Sequence, residues 1–418
     1  MRFRSILAVV TTASVALSVA ATIGVTAPAS AAPCGNRGIF GSSLAFGSSL
    51  GGLLGRRSDQ KPLPRVLTGN TRTVGWVTGA LSPNRTDTRF GISGTDLGIS
   101  WDNGSGQTLM AFGDTYGDCN APGQQWRHNT ILRTSDTTPG DGVTIPSGIP
   151  GNVRSGASVS AGAPRRASES VPSPGIPGVA ITTIPTAGIA INGIQFMNYM
   201  SVRSWGDAGR WVTNYSAVAV SRDNGQTWTT AQSTVRPNLI SASAGAKAVD
   251  DSNGKFQQGA YVRGRDGFIY QYGTPNGRFG AAFVARFRPA DILDLRKYEY
   301  FTGDKARPWS PDQTKSKAVV REPVGEMSVA WNSYLGRYIM LAGNNGNGSL
   351  ALRTATDPQG PWSAPTSLLN SGQLSGVYAP YIYAGSPAGG QYLYFTASRW
   401  QDYNVMMLRT DLTRIPVR

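Results

Sequence analysis

Two aspartates carry the strongest chemical signal in this sequence. Asp96 lies in Gly94-Thr95-Asp96-Leu97-Gly98. Asp114 lies in Phe112-Gly113-Asp114-Thr115-Tyr116-Gly117, directly after the apolar run Leu109–Phe112. The flanking glycines let backbone and a bound molecule approach closely. A carboxyl at the mouth of a buried strand sits where its pKa can be tuned. A turn aspartate that satisfies local N–H groups has the same spacing, so both readings are open. A pair of carboxyl groups is the equipment of glycoside hydrolysis: one protonates the leaving oxygen while the other activates water or attacks the sugar. That chemistry asks for no cofactor and no metal. The composition fits it: one histidine, His128, and two cysteines cannot furnish a four-Cys or His-rich metal centre. Asp114 follows the more apolar strand, so desolvation leans towards Asp114 as the acid and Asp96 as the base.

Other residues beside strand ends could contact a sugar. Glu326, in Gly325-Glu326-Met327-Ser328, is a third carboxyl, or else a structural partner for an Arg or Tyr. Arg127, His128, Asn129, Asn198, Tyr199, Arg278, Tyr403 and Asn404 are polar or aromatic groups suited to binding sugar hydroxyls or stacking on a furanose ring. Each could equally be a satisfied structural group.

The elements that must position these residues are short strands. From about Thr73, runs of β-branched and aromatic residues recur between Gly, Asn, Asp and Pro, and no sustained helical period appears. Arg288–Tyr300 has room for a turn or two of helix. Ser221-Arg222-Asp223-Asn224-Gly225-Gln226-Thr227-Trp228 is an Asp-box, a tight hairpin with its Trp packed beneath, with a degenerate echo at Ser100–Gly104. A different turn, Arg353 to Ser363, has the form common in five-bladed glycosidases. The fold expected is all-β, a five-bladed β-propeller. Residues 137–173, full of Gly, Pro and Ser, read as a surface insertion too polar to pack.

The N-terminus predicts export. A basic Met1–Arg4 precedes an apolar stretch from Ile6 to Val25 and then Ala29-Ser30-Ala31, which fits cleavage before Ala32. The domain plan is therefore a signal peptide over 1–31, a Gly/Ser-rich arm over 32–72 and a propeller over 73–418. The expected location is extracellular or cell-wall associated, with no membrane association after cleavage. In an oxidising compartment Cys34 and Cys119 can pair, or Cys34 can stay free in its arm. The formal charge of +15 has two readings, retention on an anionic cell-wall surface or a solvated exterior. No aromatic-plus-basic pattern points to nucleic acid.

The stretches Gly94–Gly98, Phe112–Gly117, Trp126–Arg133, Ile184–Ala190, Met200–Gly206, Tyr270–Gly280, Gly325–Tyr338, Gly360–Ser363 and Tyr394–Asn404 carry a resemblance. Together with Thr213–Tyr215 and the Asp-box they span about Thr73 to Arg409. The chain resembles an actinobacterial five-bladed-propeller family, long labelled a domain of unknown function, whose characterised members are endo-D-arabinanases. The resemblance implies hydrolysis of internal α-D-arabinofuranosyl linkages. The partner polymer would be the D-arabinan of arabinogalactan and lipoarabinomannan. The family's two catalytic aspartates fall on Asp96 and Asp114. Two rivals remain: a non-catalytic propeller that binds wall glycan, and a sialidase-like exo-enzyme suggested by the Asp-box. The second lacks any motif for an arginine triad gripping a carboxylate.

Overall fold

The computed structural model describes residues 59–239 and 251–416, apart from Pro177. Alternating and continuous apolar runs make strands here because Gly, Asn and Asp turns interrupt them every few residues. The strand β1 (Thr71–Trp76) precedes the first complete hairpins. Blade one is β2 (Leu97–Asp102), β3 (Thr108–Phe112) and β4 (Thr130–Thr134), with a small hairpin of β5 (Val159–Ser160) and β6 (Ala163–Ala167) beside it. Blade two is β7 (Thr182–Ile191), β8 (Ile194–Trp205), β9 (Trp211–Ser221) and β10 (Thr229–Pro237).

Blade three comprises β11 (Gln258–Arg263), β12 (Ile269–Thr274), β13 (Gly280–Phe287), β14 (Glu299–Phe301) and β15 (Trp309–Ser310), and β16 (Val320–Val324) also pairs with β13. Blade four is β17 (Met327–Asn332), β18 (Arg337–Asn344), β19 (Ser349–Ala355) and β20 (Thr366–Asn370). Blade five is β21 (Val377–Ile382), β22 (Tyr392–Arg399) and β23 (Asn404–Asp411), and β1 supplies its outer strand by pairing antiparallel to β23. The chain is a five-bladed propeller: the innermost strands β2, β7, β11, β17 and β21 each pack on the next, and β21 returns to β2. First and last strands share one sheet, which closes the ring.

The cores lie between blades. Leu97, Trp101, Met197, Ala217 and Tyr381 form one cluster that joins blades one, two and five. Ile189, Val218, Phe256, Phe287 and Tyr298 form another between blades two and three. The Asp-box is built as its sequence predicts. The Ser221 hydroxyl accepts the Gly225 N–H, Asp223 accepts the Thr227 N–H, and the Trp228 indole donates to the Gly225 carbonyl. It also docks its blade, because the Asn103 amide donates to Asn224 at 2.7 Å across to the Ser100–Gly104 echo. In place of the helix allowed at Arg288–Tyr300 are two 3-10 turns, Pro289–Asp291 and Leu295–Lys297.

Two expectations need correcting. Segment 137–173 is packed. Its Val143, Ile145, Ala157, Val159 and Ala167 join a core with Phe112 and Leu132. Bridges from Leu132 to Ala157 and from Thr130 to Glu169 lay it along the free edge of β4, where a fourth strand would stand. Its apolar residues are spaced singly among Gly, Pro and Ser, with neither a helical nor a strand period, so the pattern hid the burial. The arm, placed at 32–72, is docked where it is described. The Gln60 amide donates to the Thr78 carbonyl, the Lys61 N–H donates to Asp402, and Val66 is buried. The signal segment and Cys34 lie outside the described residues; Cys119 is disulfide-bonded.

Candidate active site

The inner strands begin at one rim of the ring. Asp96 directly precedes β2, Thr182 opens β7, Glu326 directly precedes β17 and Tyr378 is the second residue of β21. Asp96 is aimed by its backbone. The Gly113 N–H donates to the Asp96 carbonyl and the Thr95 N–H donates to the Tyr403 carbonyl. Leu97 (φ 73°) and Gly98 (φ 81°) then take left-handed conformations, and the β2–β3 register shifts between Leu97 and Ile99. A bulge re-aims the side chain next to it. Ala379 (φ 50°) and Tyr403 (φ 46°) are left-handed as well. Three non-glycine residues in this region flank Asp96 or its contacts, the kind of strain that clusters at functional sites.

The two carboxyls are treated differently. Asp96 Oδ2 accepts the Tyr378 hydroxyl at 2.9 Å, and its Oδ1 is buried without a hydrogen-bond partner. Burial, then the Asp114 carboxylate, push Asp96 up to about 7, against the Tyr378 hydrogen bond and the Arg278 charge. Asp114 Oδ1 accepts two donors, the Trp126 indole N–H at 2.8 Å and the Thr182 hydroxyl at 2.7 Å. Burial pushes Asp114 up to about 6; those two donors oppose it and Glu169 adds to it. Asp96 is therefore the carboxyl that keeps a proton longer. This reverses the lean drawn from strand hydrophobicity, because two donors offset part of the burial of Asp114, while Asp96 is buried and also meets the Asp114 carboxylate.

Aromatic rings and one ion pair complete the mouth. Tyr116 stacks on Trp126, with centroids 6.4 Å apart and planes 10° apart, and meets Tyr403 edge-on at 5.8 Å. Trp400 meets both Tyr378 and Tyr403 edge-on. The Arg278 guanidinium grips Glu326 through Nε at 2.9 Å and Nη2 at 2.7 Å, and lies 4.8 Å over the Tyr378 ring. Arg278 pulls Asp96 towards ionisation while Glu326 pushes the other way. His128 sits behind Trp126, ring centroids 4.5 Å apart, and its backbone N–H donates to Glu169.

Of the residues predicted to bind substrate, Arg278, Glu326 and Tyr403 gather around Asp96, and His128 supports Trp126. Five others are structural. The Arg127 guanidinium donates to the carbonyls of Phe90, Gly91 and Ala167. The Asn129 amide ties Val171 to Thr183, and the Asn404 amide ties Ser93 to Asp402. Asn198 donates to Thr186 between β7 and β8, and the buried Tyr199 hydroxyl pairs with Thr230. Arg127, Asn129 and Asn404 spend their donors on backbone carbonyls, while Asn198 and Tyr199, inside β8, spend theirs on threonine hydroxyls. Sequence reasoning missed Tyr378, Thr182 and Trp126. Trp126 adjoins a predicted residue and could have been found; Tyr378 and Thr182 come from other blades, and no local pattern marks them. Among the described residues no group of three His, Cys, Asp or Glu is arranged to hold a metal ion.

A family described as "Domain of unknown function (DUF4185)" matches residues 81–409. Curated relatives include the notoamide biosynthesis cluster protein J of Aspergillus sp. (strain MF297-2), 25% identical over 332 residues, with 77% of this chain and 84% of that protein covered. The related protein J' of Aspergillus versicolor is 24% identical over 323 residues, covering 75% and 82%. Among solved structures, a putative hydrolase from Bacteroides ovatus ATCC 8483 is similar with a TM-score of 0.53 at 13% identity, covering 81% of this chain and 90% of that one. At that identity the likeness speaks for the fold.

Proposed function

The chain belongs to the DUF4185 family, and from that premise we propose that it is a secreted glycoside hydrolase cleaving internal α-D-arabinofuranosyl linkages of cell-wall D-arabinan. The observation that carries the reading is the unequal pair at the mouth. Asp96 holds its proton near neutrality, while Asp114 is held towards the ionised form by two donors. Two carboxyls pushed to different pKa values by their surroundings are the pattern of an acid and a base. Asp96 is the general acid and protonates the departing glycosidic oxygen. Asp114 is the base or nucleophile. The half-buried Tyr116–Trp126 pair offers an aromatic surface to a furanose ring, with the buried Tyr403 packed edge-on against Tyr116. The choice of D-arabinan rests on the resemblance of the motifs around Asp96 and Asp114 to endo-D-arabinanases.

The rival readings are less well supported. A sialidase-like site needs arginines free to grip a carboxylate, and Arg278 is already held by Glu326. A glycan-binding propeller gives no role to two neighbouring buried carboxyls raised to different pKa values.

The test is digestion of purified arabinogalactan by the wild type beside Asp96→Asn and Asp114→Asn. Wild type should release oligosaccharides, and each substitution should lower kcat on the order of a thousandfold, since acid–base help is worth roughly 10²–10⁴. Glycan binding with no product at high load would favour the lectin reading. Activity within a few-fold of wild type in both variants would move the search to Glu326. Export is tested by sequencing the secreted protein, whose first residue should be Ala32.

A further inference from the structure

A cavity opens beside the mouth. It encloses ≈ 380 Å³, and its walls include Trp126, Ser160, Arg166, Ser168 and Glu169. Trp126 belongs to both spaces: its indole N–H donates to Asp114 Oδ1, and the same side chain lines the cavity. The remaining walls come from the β5–β6 hairpin and the residues just after it, in the packed segment along blade one.

The frame around this cavity is fixed. The Arg127 guanidinium is committed to backbone carbonyls, the Ser168 N–H donates to the Ser158 carbonyl at 2.8 Å, and Glu169 accepts the His128 N–H at 2.7 Å. Ser160, Arg166 and Ser168 themselves are exposed. An aromatic residue, two guanidiniums of which Arg127 is already committed to backbone, two hydroxyls and one carboxylate together offer donors and acceptors beside an apolar side. That mixture suits a neutral polyhydroxylated ring. Glu169 offsets one of the two guanidinium charges, and an apolar ligand would strand the polar walls.

We propose that this cavity is a distal subsite for a neutral sugar unit of the same polymer whose linkage lies at Asp96 and Asp114. The inference rests on the hydrolase reading above and adds where the chain runs: past Trp126 and over the β5–β6 hairpin. Binding energy gained at a remote subsite is spent at the reacting centre, so chain length should govern efficiency.

The probes are α-linked D-arabinofuranosyl oligosaccharides of increasing length up to the octasaccharide. They are tested with the wild type, Arg166→Ala and Ser168→Trp, the last of which fills the cavity. Both positions are exposed, and unchanged melting temperatures will show that the variants fold. The expected result is a loss of kcat/KM at least fivefold larger on the octasaccharide than on the shortest oligosaccharide the wild type cleaves. Equal losses at all lengths, or none at any, would overturn the subsite. If the wild type cleaves nothing in the series, the hydrolase reading falls. The cavity is then judged by calorimetric titration of the octasaccharide into wild type and Ser168→Trp. Weaker binding to the variant supports the subsite; equal affinities, or no binding to either, overturn it.

Discussion

At the scale of single residues, the two aspartates make the protein's chemistry depend on pH in a way that can be checked. Asp114 must be ionised and Asp96 protonated in the working state. kcat/KM should therefore follow a bell, rising through about 6 and falling through about 7. The two limbs belong to the coupled pair, so a flat profile from pH 5 to 8 would contradict the assignment. The same shifts act on stability. Both carboxyls titrate above the ordinary aspartate value when folded, so between about pH 4 and 7 the folded chain binds more protons than the unfolded one. Stability falls as pH rises through that window. Asp96→Asn should consequently be more stable than wild type at pH 7.5, by at most roughly 4 kcal/mol, and match it near pH 4. Thermal melts of the two proteins at both pH values decide this.

At the scale of elements, the hairpin of β2 and β3 holds the site together. Gly113 lies opposite Asp96, and a Cβ placed there would stand 2.4 Å from Asp96 Oδ1. Gly113→Ala should displace the carboxyl and lower kcat at least tenfold. The fold should tolerate it, because the atoms it would crowd most are side-chain atoms of Asp96 and Leu97. An activity assay beside a melt tests this; full activity would mean that Asp96 is not held where its contacts put it. The glycines flanking both aspartates were visible in the sequence as signs of close approach. Which atom approaches Gly113 was not, because the contact joins two strands across a register shift.

At the scale of the whole molecule, the ring is closed by β1 pairing with β23. Trp76 is buried in that blade, its indole N–H donating to the Lys61 carbonyl. The residue that follows Asp402, which accepts the Lys61 N–H, is Tyr403 of the mouth. A chain starting at residue 77 should therefore lose the closing strand and the site's support together. Compared with a chain starting at Ala32, it is expected to be insoluble or to melt more than 10 °C lower, since removing a strand exposes both an edge and an apolar face. Sedimentation and calorimetry of the two proteins would show it, and an equally stable short chain would refute closure by β1.

The strand-rich class, the blade turns and the two glycine-flanked aspartates are legible along the chain alone. Those signals are local: turn chemistry at Asp223 and Gly225, apolar runs, and glycines around Asp96 and Asp114. What each aspartate meets depends on the closed ring. Tyr378 reaches Asp96 from blade five, and Thr182 reaches Asp114 from blade two. The order of the two pKa values follows from those donors and from burial, which no stretch of sequence contains. The same holds for Arg127, Asn129 and Asn404, whose polar groups looked available to a ligand until the backbone carbonyls they serve came into place. Residues far apart along the chain share one environment only after the blades close, and electrostatics depends on that environment.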